Sequence, residues 1–464
     1  MIFLQTISLL YMKGGIMIPN IDFTTLQLNI TPADIAKFFS YTDGDTIFYE
    51  ITLVRKPISC PLCGSKMIGH GHKLKKISHP FVRDYKGVIL YHANRYLCKN
   101  CKKTVFETNP FSFPGFNSSF FMLQSVMKKL RNLNYTLQMI SDELNISKTQ
   151  LSKYIDSYIT IPPRHLPECL GIDELYSKAL SRKNSSYLCI LVDNEKKRIY
   201  DILNSRSKHN LSLYFSKIPR QERLKVKFVT IDMWEPYKDV VTTYLPEAII
   251  AVDPFHVIKH LTDNFDRLRL DLMNQCEYGS KGYYLLKNWN WLLRSDKIYL
   301  DNKRVYNHKF NMYLNRRDLL NMLLDNFPIL AHAYALKTEY LNLNRESTYQ
   351  EAVEKFPMLI KKFKDSGIPQ YNEFTGILIN WQEEILNSFK RPYGDGRLSN
   401  AFTENINRKI RTYLTLSNGI SNFERFRKRV IYALSPDVHY ALSPILKSDK
   451  VIKKPRGHYH KIRD

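Results

Sequence analysis

The chain has 464 residues, of which 44% are hydrophobic, enough for several domains with buried cores. Its 69 Lys and Arg against 44 Asp and Glu give a formal net charge of +25, which favours nucleic acid as a partner, with an anionic membrane surface as the alternative. A transmembrane helix is not expected, because no apolar run reaches the roughly 18–20 residues that a span requires. Segment 1–54 stays unassigned; its opening lacks the basic start and the cleavage site of a secretion signal, so we expect a cytoplasmic protein.

Two CxxC pairs come next, Cys60 and Cys63 in "CPLCG" and Cys98 and Cys101 in "CKNCKK", with 34 residues between the pairs. Each CxxC turn presents two thiolates to one ion, and two such turns complete a tetrahedral zinc site. The odd total of seven cysteines also suits metal binding better than a disulfide framework. We therefore predict a structural Zn²⁺ held by these four thiolates in a zinc ribbon spanning 55–110.

The segment between the pairs leaves two alternatives open. The cysteines could be four free buried thiols, or one of His70, His72 and His79 could replace a cysteine as a ligand. The stretch "GVILYHANRYLC" alternates apolar and polar residues, which predicts a strand that leads into the second pair. Twelve Lys and Arg against two Asp and Glu between Arg55 and Thr108 favour contact with phosphate.

Residues 111–160 are predicted to contain a helix-turn-helix. In "TLQMISDELNISKTQLSKYI", Thr136 and Ser147 are natural helix N-caps, and Asn145 can take the left-handed conformation of the turn. An ordinary helical hairpin is the alternative, but the basic zinc ribbon beside it favours DNA binding. The polar residues that face outward from the second helix are expected to contact DNA: Lys148, Thr149, Gln150, Ser152 and Lys153.

Strand patterns replace helical ones between residues 168 and 261. Their order, β-β-β-α-β-α-β, predicts a mixed sheet flanked by helices. The apolar runs "CLGIDELY" and "VKFVTIDMW" carry Asp173 and Asp232 at their predicted ends, and ligands usually bind at such an edge of a sheet. Two aspartates joined by a glutamate suit Mg²⁺ or Mn²⁺, and two such ions can drive in-line displacement at phosphorus.

Glu404 is the candidate for that glutamate. It is the lone acid in the basic stretch "LSNAFTENINRKIR", which has the pattern of a helix. Two explanations stay open for it. The carboxylate either forms an i,i+4 ion pair with Arg408, worth about 0.3–0.5 kcal/mol, or it holds a metal together with Asp173 and Asp232.

Five further residues near these motifs are weighed as alternatives. Asp253 ends another predicted strand and is a candidate neighbour of the metal, whereas His256 is more typical of a structural histidine. Adjacent residues of a strand face opposite sides, so Glu174 is expected to point away from Asp173, and Glu235 to point away as well. Asp193 is expected to lie in a hairpin turn.

The interval of 172 residues between Asp232 and Glu404 is too long for the sheet domain alone. Residues 262–390 are dense in Leu, Tyr, Trp and Lys at helical spacing, so we predict an all-helical insertion there. Trp289 and Trp291 are expected to be core residues, with stacking on DNA bases as the alternative.

The C-terminal region is expected to return to the sheet domain. Residues 391–440 would supply its final helix with Glu404, and 441–464 a basic tail. Residues 391–464 hold sixteen Lys and Arg against six Asp and Glu, so phosphate contact is favoured over a merely solvated face. The basic residues expected at DNA are Arg408, Arg411, Arg427 and Lys428.

Taken together, these motifs resemble a bacterial insertion-sequence transposase of the DDE type, from the ISL-three group. The resemblance begins at roughly residue 50 and follows the order of the family. It implies a ribonuclease-H-like core with Asp173, Asp232 and Glu404 as the metal-binding triad, and cutting and joining of DNA at inverted repeats. The matching segments are "CPLCG…CKNC", "SDELNISKTQLSKYI", "GIDE", "IDMWEPY", "VDPFHVIKHL", "WNWLL", "LSNAFTENINRKIR" and "FERFRKRVIYAL".

We therefore expect a multidomain α+β protein: a zinc ribbon, a helix-turn-helix, and a ribonuclease-H-like mixed α/β core interrupted by an all-helical insertion. Its expected function is that of a DNA transposase that uses Mg²⁺ or Mn²⁺ and acts on double-stranded DNA near the nucleoid, as a dimer or larger assembly. The first alternative is a catalytically silent DNA-binding regulator that keeps the zinc ribbon and the helix-turn-helix. A nuclease with the same core but without strand transfer is the second.

Overall fold

A computed structural model gives the fold of most of the chain. No helix in the described part is long and apolar enough to cross a membrane. The predicted basic tail lies almost entirely outside the described residues, as does the first half of the unassigned N-terminal segment. The described residues are 28, 30–82, 84–181, 185–294, 303–394, 396–417 and 420–441.

The described strands form two five-stranded sheets and one short hairpin. In chain order they are β1 (Ile35–Asp43), β2 (Thr46–Leu53), β3 (Ile68–Val82), β4 (Tyr85–Leu97), β5 (Thr104–Phe106), β6 (Cys169–Tyr176), β7 (Tyr187–Asp193), β8 (Arg198–Leu203), β9 (Phe228–Ile231), β10 (Ile249–Val252), β11 (Val305–Asn307) and β12 (Met312–Leu314).

The helices lie mainly after the first sheet and after the second. They are α1 (Phe120–Leu130), α2 (Leu137–Leu144), α3 (Lys148–Tyr158), α4 (Lys208–Ser216), α5 (Arg220–Arg223), α6 (Glu235–Tyr244), α7 (Pro254–Gln275), α8 (Lys281–Asn288), α9 (Trp291–Arg294), α10 (Arg316–Asn326), α11 (Pro328–Glu346), α12 (Tyr349–Asp365), α13 (Tyr371–Asn380), α14 (Gln382–Asn387), α15 (Ala401–Leu416) and α16 (Phe423–Leu434).

The chain divides into two compact units. Unit 1 contains the residues up to Pro162 and those from Lys409 onward, and unit 2 runs from Pro163 to Arg408. Helix α15 therefore begins in unit 2, with Glu404, and ends in unit 1. The predicted assignment of 391–440 to the sheet domain differs from this division, because α16 belongs to unit 1.

The sheet of unit 1 has the strand order β1-β2-β4-β3, with β5 paired to β4. Strand β4 ends at Leu97, directly before Cys98, as the alternating pattern predicted. The hairpin β1-β2 extends this sheet, because β2 pairs in parallel with β4. Ile51, Tyr91 and Ile89 lie in its buried core. The second half of the unassigned N-terminal segment is thus part of the same sheet as the predicted zinc ribbon.

Helices α1, α2 and α3 of unit 1 show the local features expected of the helix-turn-helix. The Thr136 side chain accepts from the Met139 N–H at 3.1 Å, and Asn145 has φ 49° and ψ 48°. The Ser147 side chain accepts from the Gln150 N–H at 3.2 Å and caps α3.

Helix α16 packs on α1 and α3. Two arginines, one from each side of the contact between α1 and α16, donate hydrogen bonds to backbone carbonyls of the opposite segment. Arg131, at the end of α1, donates to the carbonyls of Tyr432, Ser435 and Val438 at the end of α16. In return, the buried Arg429 of α16 donates to the carbonyls of Asn132 and Tyr135 in the α1–α2 loop. Since peptide carbonyls at a helix end are otherwise unpaired, these contacts join α16 to α1 and to the loop that follows α1.

Unit 2 has a sheet in the order β10-β9-β6-β7-β8. Strands β10, β9 and β6 are parallel, and β7 and β8 are antiparallel. The chain order of strands and helices matches the predicted β-β-β-α-β-α-β pattern, with the one-turn helix α5 added. Asp173 is not at the end of its strand, which corrects one prediction: β6 continues to Tyr176 because its pairing with β7 reaches Tyr187.

Helices α7 to α14 fill the interval between the sheet and α15. Their apolar faces share one continuous core with the sheet, and Asn387 of α14 donates to the Ile250 carbonyl of β10 at 2.9 Å. The prediction of an all-helical insertion is wrong in one place. Residues 305–314 form the hairpin β11-β12, which turns at the left-handed Asn311. Trp289 packs against the core, as favoured, while Trp291 is 39% exposed.

Candidate active site and metal centres

The four predicted zinc ligands come together in unit 1. Sulfur–sulfur distances are 3.4 Å for Cys60–Cys101, 3.5 Å for Cys63–Cys98 and 3.6 Å for Cys63–Cys101. Four sulfurs bound to one zinc at ~2.3 Å are roughly 3.8 Å apart, so the arrangement fits a tetrahedral ion. The histidine alternative finds no support: His79 is buried against the Ser119 hydroxyl, and His70 and His72 are exposed on β3.

The two CxxC loops have the same backbone geometry. The Gly64 N–H bonds to the Cys60 carbonyl at 2.9 Å, and the Lys102 N–H bonds to the Cys98 carbonyl at 3.0 Å. Gly64 and Lys102 both have a positive φ, of 71° and 59°. Hydrogen bonds from the side chain and backbone of Ser65 lower the pKa of the Cys63 thiol to about 6, which favours the thiolate that a metal needs.

In unit 2, the strand register places three aspartates side by side. Gly171 of β6 lies opposite Thr230 of β9, so Asp173 and Asp232 stand at the same level, each two residues further on. Val252 of β10 lies opposite Ile231, and Asp253 is therefore level with Asp232. All three side chains are buried, with 2–7% of their surface exposed. Neighbouring strands are about 4.8 Å apart, so the carboxylates line one edge of the sheet.

The acids form two groups that share one histidine. Ligand atoms of Asp173, Asp232 and His256 lie within 4.8 Å of one another, and so do those of Asp253, His256 and Glu404. Glu404 thus reaches the same centre from α15, but among the described residues it groups with Asp253 rather than directly with Asp173 and Asp232. The three residues of the predicted triad all lie at this centre, with His256 between them.

His256 forms an ion pair with Asp232, with Nε2 2.9 Å from Oδ1, although the ring N–H is not aligned for a hydrogen bond. Burial lowers the pKa of His256, but the nearby Asp232, Asp253 and Asp173 outweigh it and raise the value to about 9. Burial and the charge of Asp232 raise the pKa of Asp173 to about 8, and burial raises that of Asp253 to about 6. Crowded buried carboxylates of this kind need a cation.

Side-chain amides of α15 hold this helix on the sheet. Asn407 donates to Oδ2 of Asp173 at 2.7 Å and to the Glu174 carbonyl at 3.2 Å. Asn400 donates from its side chain to the Ile172 carbonyl and from its backbone to Oδ1 of Asp253, both at 3.1 Å. Sequence reasoning missed both asparagines. Their spacing of seven residues, with Glu404 between them, places all three on one helix face and was the available signal.

Other acids lie where the sequence placed them. Glu174 turns away from Asp173, and its Oε1 pairs with Arg206 at 2.6 Å. Asp193 accepts from the Lys196 N–H in the turn before β8 and pairs with Arg198 at 3.1 Å. The exclusion of both from the centre therefore agrees with their contacts.

The centre fits Mg²⁺ or Mn²⁺. Its donors are mainly carboxylate oxygens, which hard divalent cations prefer, and one imidazole nitrogen, which Mn²⁺ accepts more readily than Mg²⁺. Oδ2 of Asp253 is buried and has no hydrogen-bond partner. A buried carboxylate oxygen without a partner is costly, so a cation would satisfy it.

The predicted DNA-contacting residues differ in availability. On α3, Lys148, Thr149 and Lys153 are exposed, and Gln150 and Ser152 are half-buried. Arg408 and Arg411 are exposed on α15. The α16 residues are less free: Lys428 donates to the Asp156 carbonyl at 3.0 Å, and Arg427 lies 3.8 Å from Glu424. Contact of these residues with DNA stays a prediction.

Comparison with known proteins places this chain among transposases. Residues 170–430 match the model of the DDE_Tnp_ISL3 family, described as "Transposase". The transposase for insertion sequence element IS1001 of Bordetella parapertussis is 24% identical over 390 residues, which cover 82% of this chain and 90% of the relative. The transposase for insertion sequence element IS1557 of Mycobacterium tuberculosis is 31% identical over 97 residues, or 21% of each chain.

Proposed function

The chain belongs to the ISL-three family of DDE transposases, and from this premise we propose that it binds the terminal inverted repeats of its own insertion sequence and moves it. In the proposed first step, water attacks the phosphorus at each element end, the P–O3′ bond breaks, and a 3′-hydroxyl is released. In the second step that 3′-hydroxyl attacks a phosphorus of target DNA, the target P–O3′ bond breaks, and the target strand leaves with a 3′-hydroxyl while the element end is joined.

Asp173, Asp232 and Glu404 are the proposed metal-holding residues. When bound there, Mg²⁺ or Mn²⁺ supplies the charge that activates the attacking oxygen and stabilises the leaving oxygen. The chain's own contribution is placement: Asn407 orients Asp173, and Asn400 fixes the start of α15 against β6 and β10. His256 offsets the crowded negative charge while no cation is present.

DNA recognition is proposed for unit 1. Helix α3 presents Lys148, Thr149 and Lys153 to solvent, the residue types that contact phosphates and base edges in a major groove. Zn²⁺ on the four cysteines would fix the two CxxC loops of the basic sheet. Because two element ends must be brought together, the proposed working form on DNA is a dimer or larger assembly.

One observation carries the proposal. The matched acids Asp173 and Asp232 stand level on adjacent parallel strands, and Glu404 reaches the same centre on a helix anchored to that sheet. This arrangement lies within the region that matches the family, residues 170–430. A DNA-binding regulator would gain nothing from keeping three crowded, buried or half-buried acids, since they cost stability unless a cation is bound.

The test uses a supercoiled plasmid that carries the element's two ends. Wild type, Glu404→Gln and the control Glu235→Gln are incubated with Mg²⁺ or Ca²⁺, and breaks and joined products are mapped to the nucleotide. Glu235 is an exposed acid at the start of α6, so its variant should cut normally. We expect Mg²⁺-dependent cuts at the ends that only Glu404→Gln abolishes. Binding without cuts under every condition would establish the silent regulator instead, and cuts without joined products would indicate a nuclease.

A further inference from the structure

Asp253 is the acid at this centre that the triad does not use. It follows β10 and is the N-cap residue of α7, but its side chain makes no capping hydrogen bond. Its backbone N–H bonds to the Ile231 carbonyl at 3.0 Å, which fixes it beside Asp232 at the sheet edge. Only 2% of its surface is exposed. A buried acid that does not cap its own helix needs another reason to be there.

The two oxygens of Asp253 have different surroundings. Oδ1 accepts the Asn400 backbone N–H at 3.1 Å, so the carboxylate has a fixed orientation. Oδ2 is buried and has no hydrogen-bond partner. Ligand atoms of His256 and Glu404 lie within 4.8 Å of an Asp253 oxygen and of each other. The orientation therefore leaves one unsatisfied oxygen among groups that bind cations.

We propose that Asp253 is a fourth carboxylate ligand of the catalytic centre, holding a divalent cation with Glu404 and His256 at a position distinct from the one between Asp173 and Asp232. The proposal rests on the proposed function for its catalytic meaning. Its structural basis is independent of it: Asp173 and Asp253 flank Asp232 on opposite neighbouring strands, so they are about two strand spacings apart. The ligand atoms of one ion bound at ~2.0–2.6 Å lie within about 5 Å of one another. Among the described residues, Asp173 and Asp253 fall in separate groups of this kind, which favours two ion positions.

This arrangement explains the grouping of Glu404. Asn400 donates its backbone N–H to Asp253, and Glu404 lies one helical turn after Asn400. The same end of α15 therefore fixes Asp253 and brings Glu404 close to it. Asp173 is held instead by Asn407, two turns along the same helix. Helix α15 and the residue before it thus orient one acid at each proposed ion position, Asp253 at one and Asp173 at the other.

The experiment counts bound ions without DNA. Zinc-loaded protein is titrated with Mn²⁺, and free Mn²⁺ is measured by electron paramagnetic resonance. We expect two bound ions for wild type, one for Asp253→Asn and one for Asp173→Asn. The matched control is Asp193→Asn, a buried acid at the opposite end of the same sheet, which should keep both ions. Wild type that binds a single ion, or Asp253→Asn that still binds two, would overturn the proposal.

A second measurement separates a ligand from a merely structural residue. Asparagine keeps an acceptor for the Asn400 N–H, so Asp253→Asn should melt without Mn²⁺ at or above the wild-type temperature, because a buried charge is removed. Its stabilisation by added Mn²⁺ should be smaller. A lower melting temperature with an unchanged Mn²⁺ effect would make Asp253 only a support for α15. If Asp253→Asn loses its ion but wild type does not cut element ends, the proposed function fails while the site stands.

Discussion

Gly171 of β6 lies close to β7 and to Asn400, at the start of α15, beside the candidate active centre. A Cβ added to it would lie 2.6 Å from Cγ2 of Val192, 2.8 Å from Nδ2 of Asn194 and 3.1 Å from Oδ1 of Asn400. Carbon atoms pack at about 3.5–4.0 Å, so Gly171→Ala must push its neighbours by about 1 Å. Overpacking of this kind costs about 1–3 kcal/mol. The largest displacement falls on Val192, whereas Asn400 has to move by only a few tenths of an ångström. Glu404 follows Asn400 one helical turn later.

The displacement is expected to reach the candidate centre through Asn400. Since a shift of about 1 Å in a catalytic group can reduce the rate on the order of 100-fold, a shift of a few tenths of an ångström is expected to reduce it several-fold. Cleavage of element ends should fall accordingly, while DNA binding, measured by electrophoretic shift, stays normal because the proposed reading helix lies in unit 1. The control is Gly376→Ala on α13, where an added Cβ meets nothing within 4 Å. That variant should melt at or above the wild-type temperature. If both variants cut and melt alike, the close approach at Gly171 does not position Glu404.

Three other predictions follow from the same structure. Without added Mg²⁺ or Mn²⁺, the free energy of unfolding should fall as pH rises from about 4 to about 9. The raised pKa values of Asp173 (about 8) and His256 (about 9) make the folded state bind more protons than the unfolded state in this range. Urea unfolding at several pH values measures this free energy, and an increase with pH would contradict the prediction. Lys148→Ala with Lys153→Ala should weaken DNA binding uniformly and lower the salt slope by about two, measured by titrations at several salt concentrations. Arg131→Ala removes three hydrogen bonds worth about 1 kcal/mol each. Amide hydrogen exchange in α16 should therefore accelerate roughly 100-fold. Unchanged exchange would mean that Arg131 does not hold this helix in place.

Local signals in the sequence predicted local structure well. The caps Thr136 and Ser147, the turn at Asn145 and the strand into Cys98 each depend on a few neighbouring residues, and all four occur. The acids at the sheet edge were also identifiable, because a carboxylate inside an apolar strand pattern is unusual unless it has a partner.

Contacts between distant residues could not be read in this way. The bonds of Arg131 to the end of α16, and those of Arg429 to the α1–α2 loop, join residues about 300 positions apart, so no local pattern predicts them. The grouping of Glu404 with Asp253 likewise depends on the register of β9 with β10 and on the Asn400 contact. Neither the hydrogen bonds of Arg131 nor the grouping of Glu404 with Asp253 produces a periodic pattern in the sequence from which it could be predicted.

The central claim is that divalent cations bind at the centre to which Asp173, Asp232 and Glu404 contribute, and the most direct measurement locates those cations. Fe²⁺ substituted for Mg²⁺ generates hydroxyl radicals that cut the polypeptide beside the bound ion, and the fragment ends report its position. The account predicts cuts near residues 173, 232 and 404 that excess Mg²⁺ suppresses and that Glu404→Gln weakens. Cuts confined to the cysteine cluster of unit 1, or cuts in unit 2 that neither Mg²⁺ nor Glu404→Gln alters, would contradict it.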